Sequence, residues 1–248
     1  YSKAQCLKVV MDDFLYRFVL EKLRAKWSPE QMSGYLARQG VKVSTKAIDK
    51  FIYRRGLDYL LFWSWNKKKS GRQQYHYGQA PDGRKYLEER PVVDGPGHYE
   101  LDFIVSKQSA WVLLVAVDRY RKKTWVIKLL NRKRDTVRAT LQRLFHGIDL
   151  KSLTTDNDIA FAGWPELEAC LQTKIYFTHP YHSWEKGLVE NTNRWIRCFV
   201  LKRRDIGSVT QEELDQIHAF LNDRPQKCLG YFSANELYYY QLVFGLRG

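Results

Sequence analysis

The chain of 248 residues is 44% hydrophobic and carries a net charge of +14, so it has apolar content for a real core and a basic excess of the kind that phosphate backbones select. No apolar run approaches the roughly 20 residues that span a bilayer, and no short apolar segment precedes a small-residue cleavage site near the N-terminus; a soluble, cytoplasmic protein with no membrane partner is expected. The four cysteines, Cys6, Cys170, Cys198 and Cys228, form no Cys-x-x-Cys pair, which argues against a zinc knuckle and a disulfide scaffold and for reduced thiols.

The basic excess is localised. Residues 1–70 hold 15 Lys and Arg against 6 Asp and Glu, residues 71–96 hold 4 against 4, and the remainder 22 against 17. Residues 7–24 show helical periodicity with Val10, Phe14, Leu15 and Phe18 on one side. Ser28, followed by Pro29 and by Gln31 three positions on, marks the start of a second helix over 29–38, which Gly40 stops. Ser44 caps a third helix over 45–53, studded with Lys46, Lys50, Arg54 and Arg55. Residues 1–56 therefore read as a helix-turn-helix whose last helix meets DNA, or as a three-helix bundle that is merely basic. From 57 to 96 periodicity fades while glycines, prolines and Lys67, Lys68 and Lys69 accumulate. This linker interleaves Phe62, Trp63, Trp65, Tyr75, Tyr77 and Tyr86, either to track DNA by stacking and charge or to pack on a neighbouring subunit.

After Gly97 the texture becomes β. Residues 98–105 alternate, with His98, Glu100 and Asp102 on one face and Tyr99, Leu101, Phe103 and Val105 on the other. Residues 111–117 form a continuous apolar run suited to a strand buried on both faces, and 124–130 form a third strand after a basic turn. A helix over 135–146, a strand over 152–155, a helix over 165–171, a strand over 174–178 and a helix over 187–200 follow. The order β-β-β-α-β-α-β-α fits an α/β sandwich with helices on both sides of a five-stranded sheet.

Three carboxylates fall at informative places in that scheme. Asp102 lies late in one strand, Asp156 directly follows another that can neighbour it, and Glu190 shares a polar helix face with Asn193, Arg194 and Arg197. Carboxylates from distant stretches repel one another unless hard cations neutralise them, so their convergence makes a candidate metal site for phosphoryl transfer. Glu100 is at most a supporting neighbour of Asp102, and Asp118 reads as a strand-end residue. His179 and His182 lack a local metal pattern and read as ordering the loop before Glu190.

The ordered motifs resemble the insertion-sequence-30 transposases, members of the DDE transposase and retroviral integrase superfamily. They are Trp27-Ser28-Pro29-Glu30-Gln31, Glu89-Arg90-Pro91, Gly97-His98-Tyr99-Glu100-x-Asp102, Thr155-Asp156-Asn157, His179-Pro180-Tyr181, Ser183-Trp184-Glu185-Lys186-Gly187, Glu190-Asn191-Thr192-Asn193 and Leu221-Asn222-x-Arg224-Pro225-x-Lys227-x-Leu229-Gly230. The resemblance implies an RNase H-like (retroviral integrase-type) catalytic core over 97–248, including C-terminal helices, behind an all-α helix-turn-helix domain. It implies cleavage and joining of double-stranded DNA at terminal inverted repeats and a target, with Asp102, Asp156 and Glu190 as the triad. Two Mg²⁺ ions per site about 4 Å apart, or Mn²⁺ in their place, would serve the reaction, with Asp102 bridging both. Lys186, Asn193, Arg194 and Arg197 would meet phosphates, and Trp184 would wedge against a base or pack the loop. Arg224 and Lys227 belong to a motif that also reads as a helix stop. Two ends require two active sites, hence a homodimer or larger synaptic assembly on the bacterial nucleoid. Asp158 and Ala160 depart from the family pattern, in which a glycine and a glutamate are common after Asp156-Asn157, and place an added charge beside Asp156. A regulator that has lost chemistry and a structure-specific nuclease are the alternative functions.

Overall fold

The computed structural model describes residues 12–62, 83–179 and 186–244. The expected helix segment 7–11 with Val10, the linker residues Trp63, Trp65, Lys67, Lys68, Lys69, Tyr75 and Tyr77, and the loop residues His182 and Trp184 lie outside the described residues. The chain divides into a helical unit and a sheet unit, the latter within Gln74–Asn222.

In the helical unit, α1 (Asp13–Arg24), α2 (Pro29–Arg38) and α3 (Thr45–Arg54) surround a core of Leu15, Val19, Leu23, Met32, Leu36, Ile48, Phe51 and Ile52. The caps are those expected. Ser28 Oγ accepts from Gln31 N while Gln31 Oε1 accepts from Ser28 N, and Ser44 Oγ accepts from Ala47 N. Phe14 departs from expectation: it is 63% exposed, and Leu15, Phe18 and Val19 form the buried stripe of α1.

The C-terminal segment differs from the expected domain plan. Asp223–Val243, assigned by sequence to the catalytic core, belongs with the N-terminal helices. There β7 (Pro225–Gln226) and β8 (Phe232–Ser233) form a small hairpin ahead of α8 (Ala234–Phe244). Specific contacts hold it: Gln31 Nε2 donates to Pro225 O at 2.9 Å, Arg38 donates to Tyr231 O and pairs with Glu236, and Lys227 pairs with Glu30. The Tyr231 ring lies against Gly34, where an added Cβ would stand 2.2 Å from a ring carbon. Lys227 thus serves architecture, as the helix-stop reading of its motif allows.

The sheet unit contains β2 (His98–Ile104), β3 (Val112–Asp118) and β4 (Thr124–Leu129) as an antiparallel meander. Helices α4 (Arg134–Leu144) and α5 (Trp164–Leu171) lead into β5 (Ser152–Thr155) and β6 (Lys174–Phe177), which run parallel to β2 and to each other. A two-residue strand in the expected linker, β1 (Lys85–Tyr86), pairs with β6, giving the order β1-β6-β5-β2-β3-β4. This is the α/β arrangement expected from the order of elements, with one edge strand more than the expected five.

Strand β3 shows why the sheet has two covered faces. Val112, Leu114 and Ala116 join the core under α4 and α5, while Leu113, Val115 and Val117 join that under α6 (Gly187–Ile196) and α7 (Gln211–Asn222). Helix α7 also closes the open edge of β4. Asn222 exchanges two hydrogen bonds with the Thr124 backbone, and His218 Nε2 accepts from Val126 N at 2.8 Å, satisfying groups that would otherwise invite another strand.

Candidate active site

The parallel pairing of β2 and β5 aligns His98 with Ser152 and Glu100 with Thr154. Carried two residues further, the same register sets Asp102 level with Asp156, on one face and at the carboxyl ends of both strands. Their carboxylates meet on a single cation. Lys186 Nζ stands 3.2 Å from Asp102 Oδ1 and 3.5 Å from Asp156 Oδ2, and also donates to Leu101 O at 3.3 Å. Lys186 is only 3% exposed. Expected to reach DNA phosphates, it is instead spent among acidic groups, because a buried ammonium is tolerated only where anions and acceptors surround it.

Asn193 completes the surroundings of Asp102, its Nδ2 donating to Asp102 Oδ2 at 2.6 Å. Its Oδ1 is buried and makes no hydrogen bond among the described residues. Burial pushes the Asp102 carboxyl above its ordinary range; the Lys186 ammonium opposes that rise and the nearby Asp156 charge adds to it.

The loop after β5 is fixed by its own side chains. Asp156 Oδ1 accepts from Asp158 N at 3.2 Å, and Asn157 Nδ2 donates to Thr178 O at 2.9 Å while its Oδ1 accepts from Arg84. Asp158 caps the short 3₁₀ turn Ile159–Phe161 through Ala160 N and pairs with Arg132. The departure from the family pattern therefore has a structural role: the extra charge is neutralised by Arg132.

Helix α6 and its C-cap are stitched to β2 and the residue after it at three points about one helical turn apart. Val189 N donates to Glu100 Oε2 at 3.0 Å, Asn193 to Asp102, and Arg197 NH2 to Val105 O at 2.7 Å. Glu190 occupies the first turn, three residues before Asn193 and on the same helix face. Among the described residues, however, no three His, Cys, Asp or Glu side chains converge closely enough to hold a metal ion. The structure brings Asp102 and Asp156 together and does not bring Glu190 into a three-ligand group with them. The donor set still suits a hard divalent cation: two carboxylates and the unpartnered Asn193 Oδ1 are all oxygen.

Of the other expected contacts, Arg194 is exposed on α6, and Lys46, Lys50, Arg54 and Arg55 are exposed on or just after α3, opposite its buried Ala47, Ile48, Phe51 and Ile52. Sequence reasoning missed Arg84, which lies 4.5 Å over the Phe177 ring beside Asn157. It also missed the pairing of Glu100 with Arg90 and Arg119. Nothing in the order of residues announces contacts that only the β2–β5–α6 arrangement creates. Among the described residues, Cys170, Cys198 and Cys228 form no disulfide. Among the described residues, no helix is long and apolar enough to cross a membrane.

No protein-family model matches the chain. Over 242 residues it is 32% identical to the transposase for insertion sequence element IS4351 of Bacteroides fragilis, covering 92% of this chain and 74% of that relative. It is 31% identical over 245 residues to transposase InsI for insertion sequence element IS30A of Escherichia coli K12, covering 90% of this chain and 64% of that relative. Among solved structures, the catalytic core domain of BIV integrase superposes with a TM-score of 0.47 at 15% identity, over 62% of this chain and all of that one.

Proposed function

The chain belongs to the insertion-sequence-30 family of transposases, and from that premise we propose that it binds the terminal inverted repeats of an insertion element and catalyses metal-dependent cleavage and transfer of DNA strands. The observation that carries this reading is the convergence of Asp102 and Asp156, from two neighbouring parallel strands, on one buried ammonium. A place that holds a cation between two carboxylates is suited to Mg²⁺ or Mn²⁺.

Asp102 and Asp156 would hold the metal from the sheet and Glu190 from the helix. When bound, two such ions supply activation of the attacking oxygen and neutralisation of the charge on the departing one. The protein's own groups do the rest. Lys186 offsets the repulsion between the two aspartates, and Asn193 orients Asp102 through its amide. The stitches to β2 hold α6, and with it the backbone of Glu190, against the strand that carries Asp102. Arg194, exposed on the same helix, is available to a DNA phosphate. In the helical unit, α3 buries one face and presents Lys46, Lys50, Arg54 and Arg55 on the other, which supports its use as the recognition helix of a helix-turn-helix.

The test is an assay of labelled inverted-repeat ends with a target plasmid and Mg²⁺ or Mn²⁺. Joined products should depend on metal and fall about 10³-fold or more in Asp156→Asn and Glu190→Gln, the scale of losing a group that acts in the transition state. Cleavage without joining would mark a structure-specific nuclease, and binding without either a regulator. Two ends brought together imply at least two subunits; light scattering of the protein with end DNA giving one subunit per complex would defeat that part.

A further inference from the structure

We propose that Glu100 is a positioning residue whose buried carboxylate clamps the first turn of α6 to β2 and thereby sets where Glu190 stands relative to Asp102. The inference rests on the reading of Asp102 and Glu190 as metal ligands and adds a residue that touches neither ion nor DNA.

Glu100 is 4% exposed, and Oε2 accepts from Val189 N at 3.0 Å. The first amides of a helix have no partners within the helix, so a carboxylate there both satisfies one and opposes the positive end of the helix dipole. Val189 is the residue before Glu190, so the bond fixes the backbone from which the Glu190 side chain departs. At its other end Glu100 is two residues before Asp102, on the same face of β2. One rigid strand thus carries a metal-binding carboxylate and the clamp that places a second one. The remaining stitches, at Asn193 and Arg197, lie beyond Glu190 towards the C-terminal end of α6. Lys186, the N-cap of α6, also reaches β2 through its long side chain, whereas the bond to Glu100 holds the helix backbone itself on the N-terminal side of Glu190.

A charge-balancing role is the competing explanation, because Oε1 lies 3.8 Å from Arg90 NH1 and 3.7 Å from Arg119 Nε. Substitutions separate the two. Glu100→Gln keeps an acceptor for Val189 N and removes the charge, whereas Glu100→Ala removes both. Replacing the Val189 amide by an ester removes the N–H and leaves Glu100 and both arginines untouched.

The experiment measures Mn²⁺ binding by the loss of free-ion paramagnetic resonance signal, kcat and KM for strand transfer, and the melting temperature, all on the full chain. For a clamp, Glu100→Ala weakens Mn²⁺ binding and lowers kcat by about 10- to 100-fold, the usual effect of disturbing groups that orient metal ligands, with KM for end DNA within about twofold. Glu100→Gln then recovers both values to within about fivefold despite a lower melting temperature, and the Val189 ester behaves like Glu100→Ala. The proposal is overturned if Glu100→Gln is as impaired as Glu100→Ala, or if the ester, or a folded Glu100→Ala, matches the parent protein. Should Glu100→Ala not fold, the ester decides. A parent protein with no metal-dependent joining would defeat the transposase reading and the clamp with it. An active parent with an inert clamp defeats the clamp alone.

Discussion

The two faces of the central sheet are built on the same strands and bury different things. Under α4 and α5 the contact is mainly apolar, from Tyr99, Leu101, Leu114 and Leu153 to Val137, Leu141 and Phe161. Under α6 and α7 the β3–β4 half is equally apolar, with Val115, Val126, Ile196 and Ile217, but the β2–β5 half is given over to Glu100, Asp102, Lys186 and Asn193. Apolar burial stabilises roughly in proportion to area, whereas buried charges cost desolvation that pairing only partly offsets. One face therefore holds the sheet together, and part of the other is spent on a site. Stability and activity should respond separately to changes on the two sides.

The largest stability effect is expected on the apolar face. Leu141 is fully buried on α4, and Leu141→Ala should cost about 3 kcal/mol, the transfer free energy plus the cavity left behind. Urea denaturation measures the loss, and strand transfer per folded molecule should stay within about twofold, since no stitch to α6 passes through that layer. A large fall in specific activity without loss of stability would break the contrast between the faces.

Next comes the charge at the centre of the site. Lys186→Met leaves Asp102 and Asp156 facing one another without their shared ammonium. Both aspartates keep some solvent contact, so the cost should be below that of a fully buried pair, about 2 kcal/mol in the presence of chelator. Mn²⁺ should restore more stability to the variant than it adds to the parent, because the ion takes the place of the lost charge. Equal Mn²⁺ effects on the two proteins would show that these oxygens are not where the ion binds.

Much of this contrast can be read from sequence, though not the stitching. The run at 111–117 forms a strand buried on both sides because every position is apolar, and the alternation at 98–105 already puts Glu100 and Asp102 on one face. The level placement of Asp102 and Asp156 follows once two strands are taken as parallel neighbours. By contrast, β1 is two residues long and lies in a stretch rich in glycine, too short to show a period. Phe14 had the right spacing for the core, but the buried stripe of α1 lies one residue along. The burial of Lys186 and the bond from Val189 to Glu100 depend on tertiary contacts across more than eighty residues. Local propensity carries no trace of them.

The smallest effect is expected at the outer edge of the sheet, where a titratable group replaces a strand. His218 Nε2 accepts from Val126 N, so the ring must be neutral at that nitrogen. Burial lowers its pKa from the ordinary 6.5; Lys123 adds to the lowering and Asp215 opposes it. With the folded pKa below the unfolded one, the unfolded chain binds more protons in the interval between them. The stability conferred by neutral His218 is then fully present above about 6.5 and is lost as pH falls through the lower folded value, with a slope of at most about 1.4 kcal/mol per pH unit. Comparing urea midpoints at pH 7.5 and 5.5 for the parent and for His218→Gln, whose amide oxygen can accept without titrating, cancels the other ionisations. The parent should lose the more stability on acidification, and the protection of the Val126 amide relative to its intrinsic exchange should fall in the parent alone. Equal losses in the two proteins would mean that the β4 edge is held by Asn222 and apolar packing, and that the face with the active site is no more sensitive to pH at its rim than the apolar one.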